Sequence, residues 1–245
     1  MPQRFRAPFI ASGILLAGLI VLSSCTVNQT ITIKDDGSGT LVLHAEVTQV
    51  LHDYLSSLAE VAGNGAIMKG GKIFDAASIR KGFESRPGIT VKKVSTPTSD
   101  SLDVELAYTS IQGIFTSVDT LKSSGALVYT DAAGKKTLKL HLDRSNYMQL
   151  STLFPPLKDP TVASLMPQAN DTYSDDDYLQ MIQFSVGDDG PSLLKKSFIT
   201  LTIDPEGAIL SQTGGTIVGS AVVFRIPLIR MLVLDKPLDY SVTFR

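Results

Sequence analysis

Cys25 is the single cysteine of the 245-residue chain, and His44, His52 and His141 are its only histidines. A thiol can serve as nucleophile or acyl acceptor, and three gathered imidazoles could bind a metal or move protons. Their placement argues against a gathered site. His44 and His141 fall on the polar phases of strand-like runs, and His52 on the polar face of a helix-like one. All three are read as solvated side chains. A lone cysteine excludes a disulfide scaffold and leaves little for a thiolate zinc site. No Gly-x-Ser-x-Gly elbow occurs, so nucleophilic catalysis has no candidate beyond Cys25, which other residues claim.

Carboxylates and glycines supply three more candidates, each weaker than its plain alternative. Asp35-Asp36-Gly37-Ser38-Gly39 could hold a cation, but it lacks the spaced carboxylates and closing bidentate Glu of an EF-hand loop. It reads as a hairpin turn. Asp175-Asp176-Asp177, with Asp171, could also be a cation site; three acids in a first helical turn equally complement the helix dipole, and Ser174 suits the N-cap. Gly65 to Lys72 looks like a phosphate loop, but Gly71 stands where the motif needs Lys and Ile73 where Ser or Thr should follow Lys72. Scattered Asp and Glu leave a hydrolase as a third-ranked reading. The sequence calls for no metal and no cofactor, and the chain is expected not to be an enzyme.

Cys25 belongs to a different pattern. Arg4 and Arg6 precede a 14-residue run, Phe9 to Leu22, interrupted only by Ser12, Gly13 and Gly18. A charged start and a short apolar core make an export signal, too short to span a bilayer comfortably. The run ends in Leu22-Ser23-Ser24-Cys25, which resembles the lipobox of bacterial lipoproteins. That resemblance implies diacylglyceryl transfer to the Cys25 thiol, cleavage before it, and acylation of the new amino terminus. A signal anchor, or a leader with an incidental cysteine, is the alternative; the sole cysteine standing where the leader ends weighs against both. Residues 1–24 are therefore read as signal peptide and 25–245 as the mature domain. Without Arg4 and Arg6 the 22 basic side chains fall to 20 against 24 acidic, a net charge of −4. No basic footprint for nucleic acid exists, and such a body should not cling to anionic lipid by charge, so the acyl chains must hold it.

The elements that position these residues follow from periodicity. Thr30 to Lys34 and Thr40 to Val47 alternate around the Gly-rich turn, predicting a hairpin with Leu41, Leu43 and Ala45 on one face. Val47, Val50, Leu51, Tyr54, Leu55, Leu58, Val61 and Ala62 recur at helical spacing, predicting one long amphipathic helix. Asp75 should cap a shorter helix bearing Ile79 and Phe83. Strands are predicted over Ile89 to Ser95, through Leu102, Val104, Leu106 and Tyr108, and as a hairpin over Ala126 to Thr130 and Thr137 to Leu142. Ser174 and Asp177 make a capping-box start for a helix with Tyr178, Leu179, Ile182 and Val186. Residues 155–177, rich in proline and acid, are the candidate mobile insertion. From Lys195 onward the chain reads as nearly all strand: Phe198 to Ile203, a turn at Asp204 to Gly207, Ala208 to Gln212, Thr216 to Ile226, and Tyr240 to Phe244. The dense apolar run Val222 to Ile229 and Met231 to Leu234 reads as a central strand buried on both faces or as the wall of a cavity for acyl chains. The expected class is α+β, a mostly antiparallel sheet built from hairpins, packed with one long amphipathic helix and several short helices.

The order of elements resembles the LppM-type domain of mycobacterial and other bacterial lipoproteins. The residues that carry the likeness are the strand leading to Asp36-Gly37-Ser38-Gly39, the helix after it, and the closing Ile226-Pro227-Leu228 and Lys236-Pro237-Leu238-Asp239-Tyr240-Ser241-Val242. Together they bracket nearly all of the mature chain. The resemblance implies an α+β body at the cell envelope with a lipid or lipoglycan ligand, and it supplies no catalytic residues. Relatives of that type often continue into a transmembrane helix, whereas this sequence stops at Arg245, so anchoring is expected to rest on Cys25. The functional expectation is a lipid-anchored envelope protein that binds an apolar or lipid envelope molecule, held to an outer or cytoplasmic membrane. The alternative is a structural or assembly lipoprotein that contacts other envelope proteins through sheet edges.

Overall fold

In the computed structural model, residues 26–50, 52, 53, 56, 72–116, 123–147, 149 and 171–245 are described. Eleven strands and five helices lie among them. In chain order they are β1 (Thr26–Ile33), β2 (Gly39–Glu46), α1 (Ala76–Glu84), β3 (Ile89–Ser95), β4 (Ser101–Tyr108), α2 (Ile111–Thr116), β5 (Leu127–Ala132) and β6 (Lys135–Leu142). Then follow α3 (Asp175–Val186), α4 (Gly190–Lys196), β7 (Phe198–Pro205), β8 (Ile209–Thr213), β9 (Thr216–Val218), β10 (Ala221–Pro227), α5 (Leu228–Val233) and β11 (Leu238–Phe244).

The strands form a seven-stranded sheet, in the order β3-β4-β2-β1-β7-β10-β9, and a four-stranded sheet, β5-β6-β11-β8. Pairing is antiparallel throughout except between β1 and β7, which run parallel with Thr26 opposite Phe198 and Ile33 opposite Pro205. The architecture is thus α+β with mostly antiparallel sheets. Register aligns the apolar phases of neighbouring strands. Leu41 stands opposite Ile31 on one side and Leu106 on the other, and Ile203 links Ile31 to Val222. Side chains alternate across a strand, so this register collects the hydrophobic residues of six strands onto one face.

Two layers cover that face. The four-stranded sheet packs on the β1, β7 and β10 part, where Ile33, Ile203, Val222 and Phe224 meet Leu138, Leu142, Val242 and Phe244. The Phe224 and Tyr240 rings meet edge to face with centroids 5.6 Å apart, a contact that joins the sheets. Over β4 and β2, Leu102, Val104 and Leu106 take Phe74, Ile79 and Phe83 from α1 and the loop before it. A third cluster, Tyr178, Leu179, Leu194, Ile229 and Val233, binds α3, α4 and α5 together.

Most local signals translate directly. Asp75 caps α1 by accepting from the Ala77 and Ser78 amides, and Ser174 and Asp177 close the reciprocal capping box of α3. The hairpin β5–β6 turns through Ala133 and Gly134, both with positive φ, as two-residue hairpin turns require.

Two expectations are corrected. Thr216 to Ile226 is not one strand but two, β9 and β10, folded back at Gly219, whose φ of 62° makes the reversal. The apolar run after Pro227 is not strand: Leu228 to Val233 is a helix that starts as the Leu228 amide bonds the Ser197 carbonyl and ends at Leu234 in a left-handed conformation. A continuous apolar run of this length has no period that separates strand from buried helix. Its alternation is lost where helix α5 must bury Ile229 and Val233, four apart, on one side. Of the expected helix from Val47 to Ala62, Gln49, Val50, His52, Asp53 and Ser56 are helical and the rest lies outside the described residues. Most of the 155–177 segment and the Gly65 to Gly71 loop also lie outside them. Among the described residues no helix is long and apolar enough to cross a membrane.

Candidate functional site

Leu22, Ser23, Ser24 and Cys25 lie outside the described residues, but the chain next to them does not. Thr26 is already paired on both sides, to Glu46 of β2 and Phe198 of β7. The residue next to the proposed lipidation site is thus part of the large sheet.

β1 lies in the middle of the seven-stranded sheet. The apolar face of that sheet packs against the second sheet on one side and α1 on the other, and the two clusters meet along β1 and β2. There Val27, Gln29, Ile31, Leu41 and Leu43 are only half-buried, as are Ile199 and Leu201 on β7. A Gln in the middle of this stripe contributes a donor and an acceptor to an otherwise hydrocarbon surface. The other face of the sheet is polar: Thr30 and Thr32 of β1 share it with Thr40 of β2 and Thr202 of β7, and the Thr32 and Thr40 hydroxyls bond at 2.7 Å.

The histidines are hydrogen-bonded as well as solvated. Each has a carboxylate partner that sequence order hides. His44 Nδ1 lies 2.7 Å from Asp103 across the β2–β4 pair, and the other oxygen of Asp103 accepts from Lys93 Nζ at 2.9 Å. The hydrogen bond from His44, then that from Lys93, lowers the Asp103 pKa. His52 Nδ1 bonds Asp100. His141 sits between two carboxylates, 2.8 Å from Asp239 on β11 and 3.5 Å from Asp143. The imidazoles are not gathered, and those of His44 and His141 keep 45% and 34% of their side-chain exposure, as expected of polar phases; what the sequence did not show is that each pairs with an Asp, in three separate places. Cross-strand partners face one another in register, and polar phases select partners of the same polarity. Among the described residues no three of His, Cys, Asp and Glu gather to hold a metal ion.

The remaining sequence candidates are structural. Asp36 accepts from the Ser38 amide at 2.8 Å, which with the Ser38 hydroxyl holds its pKa down. The Asp35 carbonyl accepts from Lys136 Nζ at 2.7 Å and its amide bonds Glu206. Lys136 is the unforeseen residue here. It sits on the apolar face of the second sheet opposite Phe244, only 8% exposed, and crosses the gap between the sheets to clamp the β1–β2 turn. A lysine in the alternating run Lys135 to Leu142 on the same phase as Leu138, Leu140 and Leu142 was the available signal. Asp177 is held low by the Ser174 backbone and hydroxyl, and Asp175 pairs with Arg230 of α5 at 3.6 Å. The acidic triplet thus starts a helix and ties it to α5. Burial pushes Tyr147 up to about 12, and Tyr108 and Tyr129 are raised by burial too.

No protein-family model matches the chain and no curated protein matches it. Among solved structures it is similar to the folded domain of the Mycobacterium tuberculosis LppM protein, determined by NMR. Identity is 11%, the TM-score is 0.43, and the likeness covers 91% of this chain and 90% of that one. At that score it is too loose to carry a function from one protein to the other.

Proposed function

We propose that this protein is a lipid-anchored component of a bacterial cell envelope that binds an apolar or lipid molecule and performs no catalysis. The anchor reading rests on Leu22-Ser23-Ser24-Cys25 at the end of a leader-like segment. The observation that carries the binding reading is the half-buried apolar seam along β1 and β2, where the cluster under α1 meets the cluster under the second sheet. Burying apolar surface contributes roughly 25 cal/mol per Å², so a strip of Val27, Ile31, Leu41, Leu43, Ile199 and Leu201 favours an acyl chain over a sugar or a nucleotide. Gln29 would fix one polar group of such a ligand.

The second reading, an assembly lipoprotein, is favoured by β9. This three-residue strand is an edge of the large sheet, and its Ile217 and Val218 are 53% and 59% exposed. Such an edge can accept a strand from another envelope protein.

Native mass spectrometry of residues 26–245, before and after solvent extraction, separates the two. A stoichiometric lipid released on extraction, and lost in Leu43→Asp, supports ligand binding. An apo mass that persists after incubation with envelope lipids removes the binding reading and leaves the edge-strand one.

A further inference from the structure

Covalent geometry fixes where a Cys25 anchor would hold this domain. Consecutive Cα atoms are about 3.8 Å apart, and Thr26 is the first residue of a strand in the middle of the large sheet. No tether separates the lipidated residue from the fold. Whatever lies at the Thr26 end of the sheet must lie at the bilayer surface.

That end is asymmetric in charge. Phe198 pairs with Thr26, and Arg225 of the next strand stacks its guanidinium 3.9 Å over the Phe198 ring. Lys195 and Lys196 close α4 two residues earlier and are both exposed. With strands about 4.8 Å apart, Lys196 lies within roughly 12 Å of Thr26. On the other side Glu46 pairs with Thr26, and Asp100 and Asp103, just before and within β4, stand one strand further. The chain carries more acid than base, yet the β7 side of this end sets Lys195, Lys196 and Arg225 beside an aromatic ring, the pair of features that suits a headgroup interface.

We infer that the β1-start end of the large sheet, with Phe198, Arg225, Lys195 and Lys196, rests directly on anionic lipid headgroups, so that β1 and β7 run away from the membrane. This rests on Cys25 being the lipidated residue. The turn at Lys34 to Ser38 would then stand off the surface by about 25 Å, the rise of an eight-residue strand.

The lipidated full chain can be placed in vesicles of phosphatidylcholine and phosphatidylglycerol with nitroxide-bearing headgroups. A fluorophore is attached at Glu46→Cys or, at the far turn, at Lys34→Cys; the lipidated Cys25 thiol does not react. The label at 46 should be quenched severalfold more than the label at 34. Quenching at 46 should fall in Lys195→Gln/Lys196→Gln and in vesicles of phosphatidylcholine alone. Equal quenching at the two positions on membrane-bound protein overturns the orientation, and no loss with the double variant overturns the role of the lysines. Protein that does not enter the vesicles at all contradicts the lipidation reading instead.

Discussion

Gly39→Ala tests the packing of the β1–β2 hairpin against β4. Gly39 lies opposite Ile33 and Tyr108 at the tip of the sheet. The Tyr108 ring crosses over it, and its hydroxyl donates to the Thr32 carbonyl at 2.6 Å. A methyl group at residue 39 would fall deep inside contact with that carbonyl and 2.6 Å from the Tyr108 oxygen. Backbone on one side and a buried ring on the other leave little room to yield. Overpacking of a core typically costs about 1–3 kcal/mol, and displacing the Tyr108 hydroxyl forfeits about 1 kcal/mol more. Gly39→Ala should therefore lose about 2–4 kcal/mol, a fall in Tm on the order of 10 °C for a domain of this size. Equilibrium unfolding of residues 26–245 in urea measures it, with an unchanged slope expected. Tyr108→Phe alone should cost about 1 kcal/mol. Because Gly39→Ala already breaks that hydrogen bond, the double variant should cost about 1 kcal/mol less than the sum of the singles. A Gly39→Ala protein within about 0.5 kcal/mol of wild type, or strictly additive singles, would refute this account of the tip.

Three further outcomes follow from the same structure. Tyr147 has its pKa raised by burial to about 12, while an unfolded tyrosine ionises near 10; the raised folded value means its share of stability is whole below pH 10 and is lost as pH rises toward 12. Tyr147→Phe should remove about 2–3 kcal/mol of that alkaline loss, seen as a flatter urea midpoint between pH 10 and 12, and an unchanged slope would contradict it. Ser174→Ala deletes half of the α3 capping box and should cost about 1 kcal/mol by thermal unfolding; a neutral result would count against the cap. Phe184, on α3, is 94% exposed, so Phe184→Ser should change stability by less than about 0.5 kcal/mol, whereas Leu179→Ala, buried in the cluster with Ile229, should cost about 2–5 kcal/mol; comparable losses would show that Phe184 packs against something.

Local signals were legible wherever a residue acts on its near neighbours. The strict alternation of β4, the Asp75 cap and the Ser174–Asp177 box depend on contacts within a few residues, and all three stand as the sequence implies. What depends on distant chain was not legible. Nothing in Thr26 to Ile33 announces a parallel partner more than 160 residues away, yet that β1–β7 pairing builds the centre of the sheet. The run after Pro227 looked like a strand because its hydrophobicity is continuous; whether it coils was decided by the Ser197 carbonyl and the buried faces of α3 and α4. The His–Asp pairs were missed for the same reason, since Asp103, Asp100 and Asp239 meet their histidines only through strand register and loop return. Among the described residues Lys136 is the one buried charged side chain, and its place on an apolar phase could have revealed it. The run from Val222 was read as a buried strand or, with the helix from Val47 to Ala62, as the wall of an acyl-chain cavity; Val222, Phe224 and Ile226 are buried in the core, and most of that helix lies outside the described residues.

The anchor underlies both the proposed function and the proposed orientation, so its chemistry is the most direct test. The full-length chain, expressed in a lipoprotein-processing bacterium, can be recovered from the membrane fraction and its intact mass measured beside that of Cys25→Ala. The account predicts a chain beginning at Cys25 and heavier by a diacylglyceryl group with or without a further acyl chain, and a Cys25→Ala protein lost from the membrane. An unmodified mass, or a Cys25→Ala protein that fractionates with the membrane as wild type does, would contradict it.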